Sequence, residues 1–398
     1  MLLQSITGFT DQRNARDFAV VCLNIFVMSM SMGLTYPLLA VIMEGWGTPA
    51  TLIGLNASMF ALAIFLMSPI AGRVVARFGV KPTLAASLLG CIVCILLFKA
   101  VENLWVWFVL RFLLGTAEAF IFVITEIWVN STAPNRTRSR LISIYGTSLA
   151  GGFLAGSGIV LATGFEGWLP FLIGAALPGA AILAVACMQD VSFSGADASS
   201  GAFAAVIKKH PIALWGSFAF GAIETGMFAL IVVYGVRNGL DERAATVFMM
   251  MMILGNILLQ FPLGLLADRM KKLTLLLVLA GLSAAGTASM PVLMDKPIFI
   301  LPVLFLIGGM IISIYNVSLS MIGSEADPQD MVNANAAMSS MYGLGAMVSP
   351  TVVGSAMQMW DPHGYAVSIT VILVLYCGFL LVRSWSSRPY AARISGKT

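Results

Sequence analysis

Charge is what this sequence has least of. Only 10% of its 398 residues are Asp, Glu, Lys or Arg, while 59% are hydrophobic and the mean hydropathy is +0.94. A soluble domain carries about a quarter of its residues as charges, so this chain cannot clothe its surface for water. Its solvent is mostly lipid. Histidine is scarce too: His210 and His363 are the two, and neither falls inside an apolar run. No phosphate-binding Gly-x-x-x-x-Gly-Lys-Ser/Thr loop occurs, which argues against both an enzyme of that kind and a pump driven by ATP. The ten-residue alternating segments of a β-barrel are also missing. Cysteine is sparse and badly placed for disulfides. Cys22, Cys91, Cys94, Cys187 and Cys377 all lie in apolar stretches, so no extracytoplasmic disulfide framework is implied. No cofactor is implied either.

Long apolar runs are what the sequence has in abundance. Runs of about 20 residues cross the hydrocarbon of a bilayer as helix, and twelve are expected: 17–43, 51–72, 82–98, 104–128, 141–163, 168–188, 211–236, 245–266, 273–294, 297–321, 332–357 and 364–383. The first begins only after Asp17 and lacks a small-residue cleavage site, so it reads as an uncleaved span. The longest polar interval, Gln189 to His210, is rich in Ser, Gly and Ala and reads as a flexible linker. The expected organisation is therefore a tail (1–16), a six-helix bundle (17–188), a linker (189–210), a second six-helix bundle (211–383) and a tail (384–398).

Basic residues set the orientation. With the N-terminus inside, 17 of the 22 Lys and Arg fall on the cytoplasmic side, four (Lys99, Arg237, Arg243 and Lys296) on the other, and Arg111 within a span. Both termini are expected in the cytoplasm. The acids between Glu325 and Asp330 are the one local exception.

The two halves repeat. After the eighth span comes Gly264-x-x-x-Asp268-Arg269-x-Lys271-Lys272, and after the second comes Gly72-x-x-x-Ala76-Arg77, both Gly and Arg displaced by 192 (264 − 72; 269 − 77). Ile144-Tyr145-Gly146 and Met341-Tyr342-Gly343 are likewise paired. Six spans per half bring the second half in on the same side as the first, so the repeats are parallel. The expected fold is an all-α membrane protein of twelve transmembrane helices in two parallel six-helix repeats.

Twelve spans, the duplicated loop and Arg111-Phe-Leu-Leu-Gly115 in the fourth span resemble the major facilitator superfamily over essentially the whole chain. Glu126-Ile-Trp128-Val-Asn130, Glu224-Thr-Gly-Met-Phe-Ala-Leu and Asn333-Ala-Asn335-Ala-Ala look closer still to its YcaD-like bacterial branch. The resemblance implies a rocker-switch carrier in a bacterial inner membrane, with a central cavity lined mainly by spans 1, 4, 7 and 10. There are departures. Ala76 stands where the family's first loop has Asp. The fifth span reads Gly151-Gly152-Phe-Leu-Ala-Gly156-Ser157-Gly158 without the proline of antiporters; Ser349-Pro350 in span 11 carries one instead. Export therefore does not follow from motif.

Ionisable groups deep in a bilayer cost several kcal/mol and are functional candidates by default. Glu118 and Glu224 lie near the middle of spans 4 and 7, one in each half. Burial disfavours the charged form of a carboxyl in general, so both suit proton or cation coupling; a protonated Glu bonded across a helix contact is the structural alternative. Arg111 precedes Glu118 by two turns, about 10 Å along the axis, and needs a partner elsewhere: substrate, a group on span 1, or another acid. Polar residues of spans 1 and 10 form a second tier that packing alone would also explain. It comprises Asn24, Ser29, Ser31, Thr35, Ser313, Tyr315 and Ser318, with Tyr36 and Asn316 the preferred pair. Glu126, near the end of span 4, suits a gate or loop anchor, with Arg136, Arg138 and Arg140 close in sequence. Asp268, Arg269, Arg77, Gly72 and Gly264 suit gating at the duplicated loop, beside the plain reading that their charges set topology. Glycines at 146–158 and 343–354 read as helix-packing surfaces.

The leading expectation is a secondary transporter, working as a monomer, that carries a small organic solute with protons. A copper or soft-metal carrier is a second reading, from 24 Met, the Met249–Met252 run and Cys91-x-x-Cys94. Yet Met also fills apolar cores, and span 3 is not expected to line the cavity. A receptor or scaffold on the same fold is a third, opposed by the two midplane acids. For a lipophilic solute, Trp46, Phe120, Phe122 and Phe228 could supply aromatic walls.

Overall fold

The computed structural model describes residues 12–132, 134, 137–189, 209–325 and 331–395. Among them twelve long helices follow one another and no strand occurs. They are α1 (Gln12–Gly45), α2 (Ala50–Phe78), α3 (Val80–Ala100), α4 (Leu104–Thr132), α5 (Arg138–Thr163), α6 (Leu169–Ala186), α7 (Pro211–Arg237), α8 (Glu242–Arg269), α9 (Lys272–Leu293), α10 (Pro297–Glu325), α11 (Met331–Met359) and α12 (Gly364–Ser395). Each coincides with one expected span. Several run past the apolar stretch, because a helix satisfies its own backbone and needs no lipid to continue. The clearest case is α12, which reaches Ser395, inside the stretch expected as a tail. Most of the expected linker (190–208), Arg136 and the acids of 326–330 lie outside the described residues.

Eleven of the twelve are long and apolar enough to cross a membrane. The other, α11, has the length, at 29 residues, but its Asn, Ser and Gly content makes it less apolar. The reason lies in its packing, since α11 spends one face on α7.

The helices gather into two compact units. The first takes residues up to Thr48, 56–197 and Glu242–Met250; the second takes Pro49–Leu55, 198–241 and Met251 onward. The first turns of α2 thus group with the second unit, where Gln358 of α11 caps the helix by accepting a hydrogen bond from the Ala50 amide at 3.0 Å. The first turns of α8 group with the first unit.

In the first unit α1 packs most extensively on α5, and further contacts join α1–α4, α1–α6, α3–α4, α3–α6 and α5–α6. The second unit has α7–α11 as its largest contact, with α7–α10, α7–α12, α9–α10, α9–α12 and α11–α12. With α4–α5 in the first unit and α10–α11 in the second, these are the same seven pairs displaced by six helices, which is the duplicated fold in spatial form.

Both dominant pairs are closed by glycine. A Cβ on Gly152 would sit 2.1 Å from the Phe26 carbonyl oxygen, and one on Gly33 would sit 2.0 Å from that of Phe153. In the second unit a Cβ on Gly221 would come within 2.2 Å of Tyr342 O, and one on Gly345 within 2.2 Å of Phe218 O. Backbones this close also trade hydroxyls across the seam: Ser157 Oγ donates to Gly33 O (3.1 Å) and Ser217 Oγ to Met338 O (2.7 Å). The glycine clusters are packing surfaces, as their spacing suggested. Gly79 does different work. At φ 88° it makes the turn between α2 and α3 in a conformation that side-chain-bearing residues avoid.

Most polar side chains inside the helices are bonded to their own backbone. Asn24 Nδ2 donates to Val20 O, Ser29 to Ile25 O, Ser313 to Gly309 O and Ser318 to Ile314 O. In lipid this is the cheapest way to keep a hydroxyl or amide satisfied.

Gly345→Leu should therefore force α7 and α11 apart and destabilise the protein by about 1–3 kcal/mol, lowering the thermal unfolding midpoint in detergent by several degrees. Gly158→Ala, with nothing within 4 Å of the added carbon, should leave the midpoint where it is. Equal midpoints for Gly345→Leu and the unmutated protein would refute the close-packed seam.

Candidate functional site

Two constellations of polar and aromatic residues interrupt the apolar interior, one in each unit. In the first, Arg111 of α4 is 2% exposed and reaches α1. Its Nη1 donates to Thr35 Oγ1 at 2.7 Å, and Thr35 in turn donates to Ser31 O at 2.8 Å. The guanidinium carbon lies 4.7 Å from the centre of the Tyr36 ring and 5.4 Å from that of Phe60. Tyr36 and Phe60 meet edge to face at 6.1 Å. Among the described residues no carboxylate comes within ion-pair distance of this cation. Ring faces and the hydroxyls of Thr35 and Tyr36 hold it instead, an arrangement worth most where water is excluded. Of the partners open to Arg111 from sequence, the structure supplies groups on α1.

Two turns along α4, Glu118 is fully buried. Neither of its carboxyl oxygens finds a hydrogen-bond partner among the described residues; nor do Arg111 Nε and the hydroxyl of Ser31. Ser31 and Arg111 are nonetheless the polar groups that act on it, and Cys91 and Cys94 of α3 lie close enough to feel its charge. A buried carboxylate without donors is strongly disfavoured. Its charge can change only when a proton, a cation or a moving donor reaches it.

The second constellation is open where the first is closed. From Ala219 to Gly235 every residue of α7 is buried except Glu224. Its Oε2 accepts a hydrogen bond from the Tyr342 hydroxyl of α11 at 2.9 Å. Phe220, one turn before Glu224, stacks at a tilt on Tyr315 of α10 (5.1 Å, 36°) and on Tyr342 (5.5 Å, 31°). Tyr315 and Tyr342 meet at 6.5 Å and 66°. Phe220 is buried, whereas Tyr315, Tyr342 and the neighbouring Asn316 are half-buried. Because α7 repeats α1 and not α4, Glu118 and Glu224 do not occupy equivalent places in the two units.

The remaining sequence candidates lie away from both constellations. Asp268, Arg269 and Gly264 are exposed at the end of α8, and Asp268 has no hydrogen bond or ion pair among the described residues. Arg77 is exposed at the end of α2, its guanidinium 5.3 Å from the Phe78 ring. Neither Gly72 nor Gly264 has anything within 4 Å of an added Cβ. Glu126 is exposed on α4, beside Thr125, whose hydroxyl meets Tyr145 OH of α5 at 3.1 Å. Cys91 and Cys94 have Glu118 nearby, but no group of three or more His, Cys, Asp or Glu that could hold a metal is found among the described residues.

Several participants give no sign of their role in the sequence. Tyr342 is visible there as one half of a repeated Tyr-Gly pair, but not as the partner of a carboxyl 118 residues away. Phe60 and Phe220 are ordinary phenylalanines until folded. Asp17 looks like the flank of the first span. It is 1% exposed, and its Oδ2 takes hydrogen bonds from the amide and side chain of Gln189 (3.3 and 3.1 Å), tying the start of α1 to the segment after α6. Of the aromatic residues singled out for a wall, Trp46 packs on Trp107 at 4.4 Å, Phe228 is buried, and Phe120 and Phe122 are half-buried on α4.

The chain as a whole is similar to known proteins. Residues 21–350 match the model of the Major Facilitator Superfamily. The chain is 27% identical over 364 residues to the uncharacterised MFS-type transporter YfkF of Bacillus subtilis, covering 89% of this chain and 92% of that one. It is 23% identical over 279 residues to the MFS-type transporter YcaD of Escherichia coli, covering 70% and 72%. Among solved structures it is similar to the nucleoside transporter NupG (TM-score 0.76, 15% identity, 93% of this chain and 98% of that one). It is also similar to a bacterial homologue of the human lysosomal transporter Spinster (TM-score 0.75, 13% identity, 94% and 98%). At these identities the structural likeness concerns the fold.

Arg111→Lys tests how the first constellation is held. An ammonium keeps the charge but loses the planar fit to two rings, and destabilisation of about 1–2 kcal/mol is expected, read as a lower unfolding midpoint. An unchanged midpoint would mean that the rings do not seat the cation.

Proposed function

Because the chain belongs to the Major Facilitator Superfamily, we propose that it carries a small organic solute across a bacterial inner membrane by alternating access, coupled to protons. Membership itself makes it a multi-pass secondary transporter of small molecules and not an enzyme. The finer reading rests chiefly on one observation: Glu118, sealed in the middle of α4 with neither oxygen bonded to the described protein. A group so placed serves no packing need. It suits a site that is loaded and unloaded with a proton as the surrounding helices rearrange.

Glu224 is the second carboxyl of the cycle, held by Tyr342 and open on one side. Arg111, seated on Tyr36, supplies the positive charge through which the state of Glu118 is felt. Asn316, next to Tyr315, offers an amide to the solute. The excess of basic residues on one side orients the protein with both termini in the cytoplasm. In that orientation Gly72, Arg77, Gly264, Asp268 and Arg269 form the cytoplasmic turns. There Asp268 bonds a neighbouring helix end or basic side chain in one state of the cycle and not the other. Glu126 anchors the turn after α4. The chain works as a monomer.

In proteoliposomes, an imposed pH gradient should drive solute accumulation, and a protonophore should abolish it. Glu118→Gln cannot change charge, and should retain solute exchange while losing gradient-driven accumulation by about tenfold or more. If Glu118→Gln and Glu224→Gln both accumulate solute normally, the coupling assignment is wrong. Asp268→Asn should slow exchange more than any substitution at Ala76; a normal exchange rate in that variant would leave the loop with a topological role alone.

A further inference from the structure

We propose that Glu224 together with the Phe220–Tyr315–Tyr342 aromatic wall is a subsite for solutes bearing a basic nitrogen on a planar, apolar body. The proposal deepens the transporter reading and rests on it. Its first support is access. Along the enclosed middle of α7, Glu224 alone is not buried, and lipid exposure would have uncovered a stripe of residues at helical spacing. A single opening at a carboxylate, bordered by half-buried faces of Tyr315 and Tyr342, is the wall of an internal site.

The second support is geometry. Tyr342 OH fixes one carboxylate oxygen at 2.9 Å, while Oε1 has no hydrogen bond from the described residues. Glu224 is therefore oriented by one donor and offers its other oxygen to a second. The ring centres lie only 5.1 to 6.5 Å apart, so the three rings touch one another and form a continuous wall, with no space for a cation between them. A ligand lies flat against the exposed ring faces with its nitrogen turned to Oε1.

The third support is charge. No protein cation pairs with Glu224 among the described residues, and aromatic faces carry negative potential. The first unit shows ring faces holding a cation of the protein's own: the Arg111 guanidinium rests 4.7 Å and 5.4 Å from two ring centres. In the second unit the rings and a carboxylate are present, and no cation among the described residues joins them. An organic cation arriving from outside is the complement. Aromatic contact and a charge-assisted hydrogen bond then select together for ring and nitrogen on one molecule.

The test is equilibrium dialysis with detergent-purified protein and two probes of one shape: 9-aminoacridine, a planar cation at neutral pH, and acridine, its uncharged counterpart. The unmutated protein should bind 9-aminoacridine about tenfold more tightly. Glu224→Gln should bring the two together by weakening only the cation. Tyr315→Leu should weaken both probes by similar factors, and Tyr342→Phe should lower the preference about threefold while keeping the wall. Equal binding of the two probes, no binding of 9-aminoacridine, or a preference that survives Glu224→Gln would overturn the proposal. Should Glu224→Gln fail to yield monodisperse protein, Tyr342→Phe decides, because an undiminished preference there is equally fatal. Expected binding together with no proton-driven uptake of any solute into proteoliposomes would leave the subsite standing and sink the proton-coupled reading. Proton-driven uptake of another solute, without a Glu224-dependent preference, would sink the subsite alone.

Discussion

A polypeptide in hydrocarbon has no water to receive its backbone N–H and C=O groups, so it must bond them to itself. That constraint produces the twelve helices and governs how they pack. Side-chain hydroxyls and amides obey it as well, turning back to carbonyls of their own helix, as Ser29, Ser313 and Ser318 do. With lipid as apolar as the interior, helices gain little by hiding leucines and much by close approach. Hence the glycines of α5 and α11, which bring α1 to α5 and α7 to α11 with backbone against backbone. Once these pairs are set, the same seven helix contacts recur in each unit.

Polar groups that disobey the constraint stand out for that reason. Neither oxygen of Glu118 meets a hydrogen-bond donor in good geometry among the described residues, and Arg111 is held by ring faces and the hydroxyls of Thr35 and Tyr36. An unmet buried carboxyl adds nothing to the stability of a static bundle, and Arg111, though seated on its rings, keeps an unmet Nε. Both make sense in a protein that passes between states, where an unmet donor or acceptor in one state is met in another. Glu224 differs, being pinned by Tyr342 and only partly buried. The duplicated fold therefore carries two unlike carboxyls, a fully buried one on α4 and a partly exposed one on α7.

The bundle is legible in the sequence because hydropathy reports directly on the solvent, and the bilayer sets one span length for all. Helix ends drift, as at α12, because helical hydrogen bonding continues beyond the apolar stretch. Glu118, Glu224 and Arg111 are legible for the complementary reason that a charge in an apolar run has few explanations. Their partners are hidden. Phe60, Phe220 and Tyr342 are common residues in a chain rich in aromatics, and only folding brings Tyr342 across 118 positions to Glu224. Asp17 looks like the polar end of a span, because exposure at a helix end cannot be told from burial against the segment after α6 by composition. The duplicated loop is legible as a repeat, and the structure leaves Asp268 exposed at the end of α8.

The two carboxyls differ above all in their surroundings, and carbodiimide labelling followed by mass spectrometry reads that difference directly. An apolar carbodiimide, which reaches protonated carboxyls from within the membrane, should modify both Glu118 and Glu224, with labelling that declines as pH rises. A water-soluble carbodiimide should modify Glu224 and spare Glu118. Equal modification of both by the water-soluble reagent would contradict a sealed Glu118, and failure of the apolar reagent to label Glu118 at any pH would remove it as a proton-carrying group.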